Sequence, residues 1–283
     1  MTTWFITGAS RGFGLEISRQ ALERGDSVVA TARDPEAVRE ALPGHGDRLL
    51  ALALDVTDEA QAHDAAASAV DAFGTIDVLV NNAGRGLLAA VEESSDIAVR
   101  ALYDTNVFGL LNVSRAVLPV MRRRRAGRVL NLSSLGGFAS SAGFGVYCST
   151  KFAVEGLSEA MREELAPLGI DVTLVEPGYF RTDFLDRTSL HTEGRLIDDY
   201  APSAGAVRDS VPGLNHTQPG DPVKGAAAVL VLADAKNPPL RAQLGSDCVA
   251  ELDRKIAQLR EESAAWRHLA LSTDHDDTRA GAA

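Results

Sequence analysis

The sequence predicts one doubly wound α/β domain, a parallel sheet of about seven strands with helices on both faces. Three observations predict it. Short apolar runs without polar alternation recur along the chain, WFITG, SVVAT, LLALALD, IDVLVNN, RVLNLSS and IDVTLVEPG among them. Strands of that kind are buried on both faces. Helix-length amphipathic segments separate the runs, and such βα alternation implies a parallel sheet with right-handed crossovers. A glycine-rich turn, TGASRGFG at 7–14, joins the first strand to the first helix.

Each element has a local reason. The first helix ends at Arg24-Gly25, and a short second one starts at Asp34-Pro35-Glu36, a cap, a proline and a first-turn acid. A helix over about 58–73 follows LLALALD, and a long helical stretch of about 96–125 follows IDVLVNN. The run RRRR at 122–125 reads as a solvated last turn, where cations suit the helix dipole. Regular periodicity stops between about 183 and 222, a length that marks a lid, and Leu185, Leu190, Ile197, Tyr200 and Val207 predict partial order in it. GAAAVLVLA then reads as a helix and LRAQLG as the last strand. Over 249–270, Val249, Leu252, Ile256, Leu259 and Trp266 make a narrow stripe broken by Ser263, expected to pack on its own domain rather than on a partner chain. The single domain is set at 1–271, and 272–283 as a mobile tail.

Composition excludes several classes of partner. A net charge of −11 disfavours nucleic acid and anionic membranes. Two cysteines, Cys148 and Cys248, make no disulfide framework, and six scattered histidines show no metal-ligand spacing, so no metal is expected. The start MTTWFITG has no leader pattern, and a cytoplasmic setting is expected.

Two patterns carry chemistry. Gly8, Gly12 and Gly14, between strand and helix, let backbone approach a pyrophosphate seated on the free N–H groups of the helix. In GFGVYCSTKF, Tyr147 and Lys151 lie four apart, so in a helix they share a face. Lysine is scarce, with only Lys151, Lys224, Lys236 and Lys255. A fixed ammonium and an oxidised nicotinamide ring are expected to draw the phenol below its usual value of ~10 and ready it for proton exchange. A compact ammonium also suits ribose hydroxyls better than a planar guanidinium does. Taken singly, Tyr-x-x-x-Lys also fits a surface pair, and Ser133-Ser134 before Gly136-Gly137 fits turn chemistry. Strand parity sends one of the two serines inward without saying which.

Together, GxxxGxG at 8–14, NNAG at 81–84, Asn106 in TNVFG, Ser134, Tyr147, Lys151, and EPG at 176–178 with Thr182 resemble the short-chain dehydrogenase/reductase family. NPPLRAQLGSD at 237–247 and the last helix further resemble its 17β-hydroxysteroid dehydrogenase-like branch. The resemblance implies a Rossmann-type NADP-binding catalytic domain and a tetrad of Asn106, Ser134, Tyr147 and Lys151. It implies Tyr147 as general acid/base, Ser134, thirteen residues before it, as holder of the substrate oxygen, and Asn106 as holder of a water. Asn106 also reads as an asparagine satisfying backbone at a helix kink. The cofactor positions implied are Gly8, Ser10, Arg11, Gly12, Phe13, Gly14, Arg33, Asp55, Val56, Asn82, Ala83, Gly84, Pro177, Gly178 and Thr182, with Tyr147 and Lys151.

NADP rather than NAD is expected. Asp34 stands twenty residues past Gly14, the spacing of an NAD-type acid, yet it reads as a helix cap. Family register puts the discriminating position at Ala32, and Arg33 and Arg11 at positions that pair with the extra phosphate. Leu135, Phe138 and Phe144 suggest an apolar carbonyl substrate, hence an NADP(H)-dependent ketoreductase or alcohol dehydrogenase. A non-catalytic redox sensor, or a dehydratase or epimerase on the same scaffold, are the alternatives. The resemblance also implies a homodimer or homotetramer pairing the helices at about 96–125 and 147–168.

Overall fold

The computed structural model describes residues 1–275. Seven strands, all parallel, form the main sheet: β1 (Thr3–Thr7), β2 (Ser27–Ala32), β3 (Leu49–Ala53), β4 (Val78–Asn81), β6 (Gly127–Leu132), β7 (Ile170–Pro177) and β9 (Arg241–Leu244). Their order is β3-β2-β1-β4-β6-β7-β9, so the chain winds outward in both directions from β1 and β4. Two short strands, β5 (Gly86–Leu88) and β8 (Leu190–Thr192), pair separately above it. The doubly wound sheet is the one the sequence predicts.

Both faces of the sheet are covered, which is why its strands carry no polar alternation. Trp4, Ile6, Val28, Ala30, Val78 and Val80 point to one face. There they meet Ile17, Ala21 and Leu22 of α1 (Gly12–Glu23) and Ala226, Val229 and Leu230 of α8 (Pro222–Asp234). Phe5, Val29, Leu79, Val129 and Val172 point to the other. They meet α3 (Glu59–Phe73), α5 (Gly109–Arg124) and α6 (Gly145–Leu165). The small second helix, α2 (Pro35–Ala41), starts as its sequence requires: the Asp34 carboxylate accepts from the Glu36 N–H at 3.0 Å. Arg122, Arg123 and Arg124 close α5, and Arg125 ends it with φ +57°.

Three expectations need revision. The stretch 96–125 is not one regular helix: α4 (Asp96–Tyr103) and α5 are joined by a π-turn over Asp104–Phe108, which carries Asn106. The lid is more regular than its sequence suggests, with β8 paired to β5 and a helix α7 (Ala206–Leu214). The C-terminal stripe does not pack on its own domain. The last helix, α9 (Ser246–Leu271), buries Cys248 in its first turn, and every residue from Ile256 to Leu271 is exposed. Of the expected tail, 276–283 lies outside the described residues.

One buried acid that the sequence did not flag anchors the lid. Glu93 is 2% exposed and accepts from the N–H groups of Ala90 (2.9 Å) and Ile197 (3.0 Å) and from Arg208 (2.5 Å). These bonds, the Ile197 N–H first, hold its carboxyl below the usual range. Glu93→Ala leaves the Ile197 N–H and the Arg208 guanidinium without that acceptor. Limited proteolysis within 187–214 is therefore expected to quicken at least about fivefold while the sheet melts nearly unchanged; equal cleavage rates would refute the anchor.

Candidate active site

The strand order reverses between β1 and β4, and a crevice opens there at the carboxyl ends of the strands. Asn82 builds its floor. Its Nδ2 donates to Thr7 O (2.9 Å) and Gly8 O (3.0 Å), while the N–H groups of Asn82 and Ala83 both donate to Thr7 Oγ1 at 3.0 Å. The glycine loop is thereby clamped to the end of β4. A Cβ at Gly14 would sit 2.6 Å from Asn82 Nδ2 and closer still to the Gly8 carbonyl oxygen, so only glycine fits. Gly8 and Gly12 take φ +65° and +54°, and Thr182 lies over Gly12. Arg11 caps α1 without a side-chain bond, and the first turn of α1 carries no acid. Free N–H groups, a glycine cradle and a positive helix end fit a pyrophosphate.

A single cleft gathers Phe13, Asn82, Gly84, Ser134, Tyr147 and Lys151. It is continued by Pro177, Gly178 and Thr182 from the end of β7. Tyr147 and Lys151 share one face of α6, both buried. The Ser134 side chain hydrogen-bonds the Tyr147 hydroxyl and accepts from the Gly136 N–H at 3.0 Å. Ser133 points the other way and donates to Glu155. Strand parity alone left that choice open.

Asn106 sits where the π-turn pushes it out of helical register. Its Oδ1 accepts from the Arg85 N–H (2.9 Å), and its Nδ2 donates to Arg85 O (2.9 Å) and Thr150 Oγ1 (3.1 Å). It thus ties the NNAG segment to α6, and a Cβ on Gly84 would lie 3.4 Å from Asn106 Oδ1 and 3.9 Å from Lys151 Nζ. Asn106 stands at the kink, but the backbone it satisfies is that of Arg85, just before β5, and not the helix's own.

Burial governs the charges. It pushes the Tyr147 phenol up, with the Ser134 hydrogen bond opposing. It brings the Lys151 ammonium down to about 8, while Glu155 pulls the other way. Lys151 Nζ donates to Leu132 O at 2.7 Å. The expected acidification of the phenol by Lys151 is therefore not a property of the chain's own groups: loss of solvent outweighs it.

Beneath Ser133 lies a carboxylate pair that sequence reasoning missed. Glu155 accepts from Arg241 Nε at 3.0 Å, Glu176 accepts from Gln243, and the two carboxyls share a hydrogen bond. Glu176 is 0% exposed, and burial next to Glu155 raises it to about 7. Asp247 is another residue without a sequence signal. It accepts from the Tyr179 N–H at 2.6 Å and stands so close to Gly178 that a Cβ there would overlap it.

The other residues expected to meet a cofactor follow the carboxyl ends of β1, β2 and β3. Ala9 N donates to Thr31 O at 2.9 Å, so the loop and the end of β2 run side by side. Ser10 and Arg11 follow in the loop, and Ala32 and Arg33 at the end of β2. Arg33 is exposed, whereas Arg11 donates to Thr188 of the lid (Oγ1 at 2.9 Å, O at 3.3 Å). Asp55 accepts from Thr57 Oγ1 at 2.7 Å, and Val56 is buried with its carbonyl bonded to Asn112 Nδ2 at 2.9 Å. Leu135 and Phe144 line the cleft as expected; Phe138 does not. The lid supplies Phe184 and Leu185 instead, the Phe184 ring 5.4 Å from that of Tyr147. At the lid's base, folding brings Asp183, Asp186 and His216 together, and Asn215 Nδ2 already donates to Asp186.

The family profile for short chain dehydrogenases matches residues 2–193. The chain belongs to the short-chain dehydrogenase/reductase family. It is 39% identical to human 17-beta-hydroxysteroid dehydrogenase type 1 over 230 residues, 74% of this chain and 69% of that one. A short-chain dehydrogenase from Streptomyces avermitilis has the same fold (TM-score 0.90, 41% identity, 97% of this chain and 100% of that one). So has a serine dehydrogenase in complex with NADP+ (TM-score 0.74, 29% identity, 86% and 94%). The protein is an oxidoreductase of this family. Among the described residues no helix is long and apolar enough to cross a membrane.

The carboxylate pair makes a pH prediction. Folding raises Glu176 from 4.5 to about 7, so the folded chain holds the proton more tightly, and stability falls as pH climbs through that window. Glu176→Gln removes the loss. Its melting temperature relative to the parent is expected to rise by several degrees between pH 5 and pH 8; a flat difference would place the charge elsewhere.

Proposed function

We propose that this protein is an NADP(H)-dependent carbonyl reductase, or secondary alcohol dehydrogenase in reverse, acting on an apolar substrate. The observation that carries it is the meeting of Ser134, Tyr147 and Lys151 in one buried cleft against the glycine cradle. Gly8, Ser10, Arg11, Gly12, Phe13 and Gly14 on one side and Pro177, Gly178 and Thr182 on the other would hold the cofactor, whose nicotinamide would supply or accept a hydride when bound.

The chain's own groups do the rest. Ser134 holds the substrate oxygen and steadies the charge that develops there. Tyr147, whose burial keeps it protonated, gives its proton to that oxygen as the carbonyl is reduced. Lys151 exchanges protons near neutral pH at its lowered value and, with Asn106, reprotonates the phenolate from solvent. Phe144, Phe184 and Leu185 exclude water and favour an apolar substrate body.

NADP is preferred on three grounds. Arg33 stands exposed at the end of β2, the neighbouring Ala32 offers no carboxylate, and Asp34 is committed to capping α2. A reducing, cytoplasmic setting accords with Cys148 and Cys248, both free and buried. Phe108 and Phe152, exposed on the π-turn before α5 and on α6, support a homodimer through those helices.

With NADPH and an activated apolar ketone, the reduced-nicotinamide absorbance is expected to decay, and Tyr147→Phe to slow the decay at least about 100-fold at unchanged NADPH affinity. Tight NADPH binding without turnover across a broad ketone panel would favour the sensor reading, and conversion without net cofactor oxidation the dehydratase or epimerase. Arg33→Ala is expected to shrink the preference for NADPH over NADH about tenfold or more, one charge-assisted contact being lost. An unchanged ratio would overturn the assignment to NADP.

A further inference from the structure

The last helix is an anomaly in this fold. Its 26 residues extend about 39 Å, yet only the first turns touch the sheet edge and the turn after Ser134. An isolated helix draws little stability from its own hydrogen bonds; packing of an apolar stripe normally supplies the rest. Here the stripe exists and faces solvent, with Val249, Ile256, Leu259 and Trp266 all exposed, Trp266 by 67%.

The stripe has heptad spacing. Val249, Leu252, Ile256, Leu259, Ser263, Trp266 and Ala270 fall alternately three and four apart. Asp253, Arg260 and Arg267 flank it on one side, Lys255 and Glu262 on the other. That charge pattern discriminates between partners. A second copy laid parallel sets Lys255 against Arg260, a repulsion made twice, and Glu262 against Arg267, an attraction made twice, so the two cancel. A second copy laid antiparallel, with the two-fold axis between Ile256 and Leu259, sets Asp253 against Arg260 and Lys255 against Glu262. Each pair then occurs twice, and all four are attractive. In the same register Ile256 meets Leu259, Leu252 meets the small Ser263, and Val249 meets the broad Trp266, so bulk is matched layer by layer.

We propose that α9 is a self-recognition helix, pairing antiparallel with the α9 of a second copy of this chain about a two-fold axis at Ile256 and Leu259. The flanking charges set the direction, and the apolar layers supply the attraction. This contact lies apart from α5 and α6, so the two surfaces together would build a dimer of dimers, and α9 alone a dimer.

Sedimentation velocity on the full chain across a concentration series tests the contact. Arg260→Asp sets Asp253 against an aspartate and is expected to weaken one association step at least about tenfold. The swap Asp253→Arg with Arg260→Asp restores complementarity and is expected to recover that step to within about threefold of the parent. Leu259→Asp, which unseats the central layer, should abolish it. An association constant that ignores Arg260→Asp and Leu259→Asp would overturn the contact. Loss on Arg260→Asp that the swap fails to recover would overturn the antiparallel register.

Discussion

One side chain holds the crevice together. Between β1 and β4 the helices leave for opposite faces of the sheet, so the carboxyl ends of these strands lose their lateral cover and their backbone groups need other partners. The Asn82 amide meets that need by donating to both Thr7 O and Gly8 O, and the Thr7 hydroxyl oxygen accepts from the N–H groups of Asn82 and Ala83. With the loop so fixed, Gly14 must pass against the Gly8 carbonyl, α1 must start where its N–H groups face the crevice, and Gly84 must lie beside Lys151. The geometry of the site follows from satisfying these few backbone atoms.

Desolvation then orders the charges. Burial moves acids and bases in opposite directions, so the same cleft that raises the Tyr147 phenol lowers the Lys151 ammonium. In the chain's own field the proton stays on tyrosine and is loosened on lysine, which is the protonation state a carbonyl reduction requires. A positively charged group bound in the cleft would act in the other sense and favour phenolate. Behind the cleft, Glu155 and Glu176 share one hydrogen-bonded contact under Ser133, which ties the strand carrying Ser134 to α6 and β9.

Much of this was legible in the sequence because it rests on local chemistry. Strands buried on both faces write themselves as unbroken apolar runs, and the cap at Asp34 could be told from a ribose-binding acid by the proline after it. The Tyr147–Lys151 pair needs only helical spacing. Contacts between distant segments left no such mark. Glu93 reads as one acid among many until Ile197 and Arg208 close on it, and the rest of α6 and most of β7 separate Glu155 from Glu176. Phe138 and Phe184 are alike in sequence, but a turn directs the first away from the cleft while the lid brings the second against Tyr147.

The sequence by itself determined the doubly wound sheet, the glycine cradle and the shared helix face of Tyr147 and Lys151, since each depends on periodicity or on spacing within one element. Only the tertiary structure decided where the lid is anchored, which carboxylates stand behind Ser133 and that the C-terminal stripe faces away from its own domain. Those outcomes depend on which surfaces meet after the chain has closed on itself, and the free energy of such meetings is not written in any one segment.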